Sequence, residues 1–173
     1  MATTALLNPM GGWPLLIASI LIVDVIVMIV SRHTGMFGRV LNRWYDRFGG
    51  LAVAADVFII AIGFWLARWI VATWFPGAGL GAFLGLLVLV QLIHDVLFYV
   101  GVILPFPRGL NAMMDVFKDY AAELGGSILV GDAGLMLASA GVFMALERVG
   151  SFWQVGAGLL ALYALPFALT TRS

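Results

Sequence analysis

The chain has 173 residues, of which 63% are hydrophobic and only 10% charged, with a formal net charge of zero and no cysteine. A soluble domain covers its surface with roughly 25% charged residues, so a water-exposed globule and a disordered chain are both excluded, and an integral membrane protein is indicated. The missing cysteines remove disulfides, thiolate metal sites and Cys nucleophiles, and the balanced charge offers no basic face to nucleic acid.

A bilayer crossing needs roughly 20 apolar residues. Five segments meet this, at about 13–31, 50–73, 80–104, 126–146 and 151–169. The predicted fold is an all-α polytopic membrane protein forming one membrane domain over residues 1–173. The first span lacks a basic leader, contains Asp24 and ends in Ser31-Arg32-His33, so it reads as a true span and not a signal peptide.

Positive charge sets the expected orientation. Arg32, Arg39, Arg43 and Arg47 follow span 1, Arg108 and Lys118 follow span 3, and Arg172 follows span 5. The other side carries only Arg148 and, near the end of span 2, Arg68. The N-terminus is therefore expected outside, with the C-terminus and loops 31–49 and 105–125 cytoplasmic.

The two halves resemble each other. Leu21-Ile22-Val23-Asp24-Val25 in span 1 returns 71 residues later as Leu92-Ile93-His94-Asp95-Val96 in span 3. Phe48-Gly49-Gly50 precedes Asp56 as Leu124-Gly125-Gly126 precedes Asp132, now 76 residues on. Between these signatures, Phe37, Val40, Leu41, Trp44 and Phe48 align with Met113, Val116, Phe117, Tyr120 and Leu124, both sets at helical spacing. Two duplicated helical hairpins are expected: repeat 1 over about 13–73 and repeat 2 over about 80–146. Each contains a cytoplasmic amphipathic helix and a Gly-Gly bend, and span 5 is an addition at 151–169. Gly63, Gly131, Gly134, Gly141, Gly156 and Gly158 point to close helix contacts.

Ionisable groups inside a bilayer are costly and mark candidate sites. At a rise of about 1.5 Å per residue, Asp24, Asp56 and Asp132 lie roughly 9–12 Å, and His94 and Asp95 roughly 13–16 Å, from the cytoplasmic ends of their spans. No Lys or Arg shares that level. Four close carboxylates without counter-ions cannot all carry charge, because desolvation and mutual repulsion both oppose it. Protons or a bound cation must supply the balance; no other cofactor is predicted, and the identity of any metal is open.

Asp24, Asp56, His94, Asp95 and Asp132 are thus the candidate ion-binding residues, with Gln91, Tyr99, Asn111, Asp115 and Glu123 as candidate supports. Tyr99 stands one turn from Asp95 and is a local hydrogen-bond candidate. Adjacent on a helix, His94 and Asp95 are expected to face different neighbours. Glu-x-x-His, His-Glu-x-x-His, Gly-x-Ser-x-Gly and P-loop patterns are all absent, which argues against the corresponding enzymes. Three functions remain: a small channel or transporter for protons or cations, a structural or assembly subunit of a larger membrane complex, and a metal-dependent lipid-modifying enzyme. The expected partners are the bilayer and a second copy or a larger complex.

Overall fold

A computed structural model describes residues 5–8 and 10–171, all helical or irregular and without a strand. Arg172 of the orientation argument lies outside the described residues. Helix α1 spans Trp13–Thr34, α2 Arg39–Phe48, α3 Gly50–Trp74, α4 Leu80–Phe98, α5 Ala112–Leu124, α6 Ser127–Glu147 and α7 Ser151–Thr170. A 3-10 turn, Ala5–Leu7, precedes α1, and a π-helical turn, Tyr99–Ile103, continues α4. Five helices are long and apolar enough to cross a bilayer by length and composition: α1, α3, α4 with its π turn, α6 and α7. They fall within a turn of the predicted spans.

Local chemistry explains the ends. Pro14, whose missing N–H costs nothing in a first turn, starts α1. Gly35 ends it in the left-handed conformation, returning its N–H to Ser31 O. Asn111 caps α5, its side chain accepting from the N–H groups of Met113 and Met114. Gly49 and Gly125 close α2 and α5 with nearly the same backbone, φ 53°, ψ −126° and φ 55°, ψ −135°. This region is closed to residues with a Cβ.

The spans α1, α3, α4 and α6 pack in a ring in that order, and α7 lies along α1. Half of the apolar stretch of α1 is buried, against 11% of that of α7, so α1 is the central helix and α7 the outermost. Lipid tails are as apolar as leucine, so close packing holds such spans together in place of escape from water. At Gly63 an added Cβ would collide with the Met136 methyl, and at Gly158 it would sit 3.2 Å from Ala18. The expected contacts at Gly131, Gly134, Gly141 and Gly156 are not made, since the space beside each is open. These four face away from neighbouring helices, a direction that composition does not encode.

At one end of the bundle, α2 lies on α5. Val40, Trp44 and Tyr45 turn inward while Arg39, Arg43, Asp46 and Arg47 stay exposed. The first turn of α2 is capped from the other half of the chain: Glu123 accepts from the N–H groups of Arg39 at 2.9 Å and Val40 at 2.8 Å. A Cβ on Gly38 would fall 2.7 Å from Glu123 Oε2, so the glycine makes room for the cap. Arg43 pairs with Asp119 at 3.2 Å. Losing a side-chain cap costs about 1 kcal/mol. Glu123→Ala should therefore lower the thermal unfolding midpoint in detergent, and Glu123→Gln, which keeps an acceptor, should lower it less.

One arginine corrects the sequence reading, and a second is buried at the other end. Arg32, expected in a cytoplasmic loop, is buried because α1 runs a turn beyond residue 31. Its guanidinium pairs with Asp46 at 2.8 Å and donates to Leu169 O at 3.2 Å, tying α1 to α2 and α7. Arg68 is wholly buried at the opposite end. It donates to Leu6 O at 2.8 Å and Gly11 O at 3.1 Å, between the rings of Trp13 and Phe143.

Candidate functional site

The acids of the spans make their hydrogen bonds in two places, one under α1 and α3 and one on α4. Asp24, on α1, is buried and accepts a hydrogen bond from the Tyr45 hydroxyl at 2.8 Å. Asp56, on α3, accepts from the Trp44 indole at 3.0 Å. The short helix α2 thus delivers consecutive aromatic residues to acids on two different spans.

The second pair joins α4 and α6. Asp95 Oδ1 accepts from Gln91 Nε2 at 2.6 Å and contacts His94 Nδ1 at 3.1 Å. The other oxygen, Asp95 Oδ2, is buried and meets no donor. The Asp132 carboxyl lies within hydrogen-bonding reach of Asp95. Asp24 and Asp132 are both close enough to Asp56 for their charges to act on it.

His94 and Asp95 touch each other, contrary to the expectation that they face different neighbours. The turn-spaced partner of Asp95 is Gln91, one turn before it. Tyr99, one turn after it, begins the π turn, and its side chain is exposed. Of the other expected supports, Asn111 caps α5, Asp115 accepts from Gly109 N–H at 3.1 Å, and Glu123 caps α2. None of these three hydrogen bonds is to the acids in the spans.

A row of rings links the pairs. His94 stacks on Phe98 with centroids 5.7 Å apart, Phe98 meets Phe117 edge-on at 6.2 Å, and Phe117 lies 4.9 Å from Trp44. Trp44 and Tyr45 were readable only as interface aromatics. What makes them acid partners is the fold-back of α2 under α1 and α3, and that rests on the Gly49 bend.

The tyrosines outside the spans register the buried charge. Burial, then the charges of Asp24 and Asp56, and then hydrogen bonds to those acids push the Tyr45 phenol well above its usual range. Burial and then Asp132, Asp56 and Glu123 push Tyr120 up too. Tyr120 occupies the position aligned with Trp44, so each short helix turns a ring toward acids of the bundle. Both phenols stay protonated in the fold above pH 10, where an unfolded tyrosine titrates, so the folded chain holds protons that the unfolded chain releases. Stability from this source is full below pH 10 and is lost as pH rises further. In ultraviolet titration of the folded protein, Tyr45→Phe should leave the tyrosinate absorbance at pH 10 unchanged.

Among the described residues, no three acids or histidines are disposed around one metal position. Comparison with protein families, with characterised proteins and with solved structures yields no match for this chain.

Proposed function

We propose that the protein is a small channel- or transporter-like membrane protein whose paired aspartates bind and pass protons. The observation that carries this is the contact of Asp95 with Asp132. Two carboxylates sit so close only with a positive charge between them, and Asp95 Oδ2 is buried without a protein donor. A proton on Asp132, shared with Asp95, satisfies both groups. Pairs of oxygens suit a proton, whereas Mg²⁺ or Ca²⁺ takes about six or more oxygen ligands.

We also infer the duplication and the orientation. Support for the duplication comes from the matched bends at Gly49 and Gly125 and from packing that keeps its form when the halves are exchanged. Exchange turns the α1–α6 contact into α4–α3, and α1–α3 into α4–α6. The halves then relate about an axis along the membrane normal, as parallel repeats do in some transporters. With the α2 and α5 end cytoplasmic, as the basic residues favour, the acids lie in the inner half of the membrane.

The test is pH-driven flux into liposomes. The wild-type chain should dissipate an imposed pH gradient, and Asp56→Asn with Asp132→Asn should not. A second reading, an assembly subunit, is favoured by the open small-residue positions Gly134 and Gly141 on α6, where another helix can approach closely. Co-purification of a stoichiometric membrane partner, with no flux from the isolated chain, would establish that reading instead.

A further inference from the structure

The end of the bundle formed by α2 and α5 carries an excess of positive charge. Arg32, Arg39, Arg43, Arg47, Arg108 and Lys118 stand there against Asp46, Asp115, Asp119 and Glu123, six cations against four acids. Arg39, Arg43 and Arg47 recur every four residues, which puts them on one face of α2, and all three are exposed. Each acid of α2 and α5 is already engaged. Asp46 pairs with Arg32, and Asp119 pairs with both Arg43 and Arg108. Asp115 accepts from Gly109 N–H, and Glu123 accepts from the backbone N–H groups of Arg39 and Val40. Among the described residues, no acid forms an ion pair with the side chain of Arg39 or Arg47.

These two arginines sit at opposite ends of α2, and each end adjoins apolar surface. Ile26 and Ile29 on α1 and Met36 after it are exposed, and Arg39 follows them in the chain. Arg47 stands four residues before Leu51, which with Phe58 and Ile62 forms an exposed apolar column on one face of α3. Exposed apolar columns on spans meet acyl chains, and the arginines stand where those columns reach the polar boundary. A soluble acidic partner would engage the guanidinium groups and leave the columns bare. A phospholipid matches both, with acyl chains for the columns and phosphate oxygens for the planar fork of arginine.

We propose that α2 is a binding surface for anionic phospholipid, with Arg39 and Arg47 each holding the phosphate of a headgroup whose acyl chains lie along the apolar column beside it. The charge excess selects an anionic headgroup over a zwitterionic one. Arg43, held by Asp119, adds little to that selection. The surface depends neither on the proton path nor on the duplication.

The experiment places the full chain in phosphatidylcholine vesicles with a trace of spin-labelled phosphatidylglycerol or spin-labelled phosphatidylcholine, and reads the motionally restricted fraction of each by electron paramagnetic resonance. Phosphatidylglycerol should associate about fivefold more strongly, the effect of one arginine near a headgroup, and the difference should shrink in high salt. Arg39→Gln with Arg47→Gln should bring the two lipids to equal association. Glutamine at 39 keeps the backbone N–H that Glu123 caps, so the thermal midpoint in detergent should hold. Arg39→Lys with Arg47→Lys keeps the charge and should keep the selectivity. Arg43→Gln, and Arg148→Gln at the other end of the bundle, should leave it nearly unchanged. Equal association of both lipids with the wild type, selectivity that survives loss of both charges, or an equal loss from Arg43→Gln or Arg148→Gln alone would each overturn the assignment. Binding of a hexaglutamate peptide that phosphatidylglycerol does not diminish would place an acidic protein on this face instead.

Discussion

Asp132→Asn should reduce pH-driven proton flux into liposomes by about 100-fold, the usual effect of removing a positioned proton-transferring side chain. Asparagine keeps the size and hydrogen-bonding ability of the acid but cannot exchange a proton, so the chain should still fold and insert. An unchanged thermal midpoint beside lost flux would separate this effect from unfolding. Asp56→Asn should act alike, because Asp56 lies within charge reach of both Asp24 and Asp132 and so joins the two pairs. Tyr45→Phe should slow flux less, since water can replace a hydroxyl as a bridge. If both Asn variants conduct as the wild type does, the aspartates are helix-packing groups and the transport reading falls.

Arg68→Ala should lower stability by about 3 kcal/mol, through a large cavity and the loss of two buried hydrogen bonds. The guanidinium gathers Leu6 O and Gly11 O between Trp13 and Phe143, and so fastens the segment before α1 over the end of the bundle. Ala5 N–H adds a hydrogen bond to Glu147 on α6. The expected observations are a lower unfolding midpoint in detergent and faster proteolysis ahead of Trp13. Arg68→Lys should recover only part of the loss, because a single ammonium lacks the planar fork that reaches two carbonyls and stacks on rings. A wild-type midpoint for Arg68→Ala would mean that this end is held by packing alone.

The apolar architecture was legible in the sequence because span length and hydropathy are local properties. The bends at Gly49 and Gly125 were legible too, as Gly-Gly pairs ahead of matching acids. Partners across helices were not. Nothing at positions 44 and 45 distinguishes rings that rest at an interface from rings turned beneath two spans. Asp24, Asp56, Asp95 and Asp132 could be placed by height, but rotation about each helix axis decided which acids would meet. Arg32 misled because a charge near the end of a span is usually exposed, and here it is buried against Asp46 and the carbonyl of Leu169.

The claim that the aspartates share protons is tested most directly by infrared spectroscopy of the protein in bilayers at neutral pH. A protonated carboxylic acid has a carbonyl stretch that an ionised carboxylate lacks. The wild-type chain should show this band, shifted on exchange into deuterium oxide, and Asp132→Asn should remove much of it. A spectrum containing ionised carboxylates alone would contradict the account.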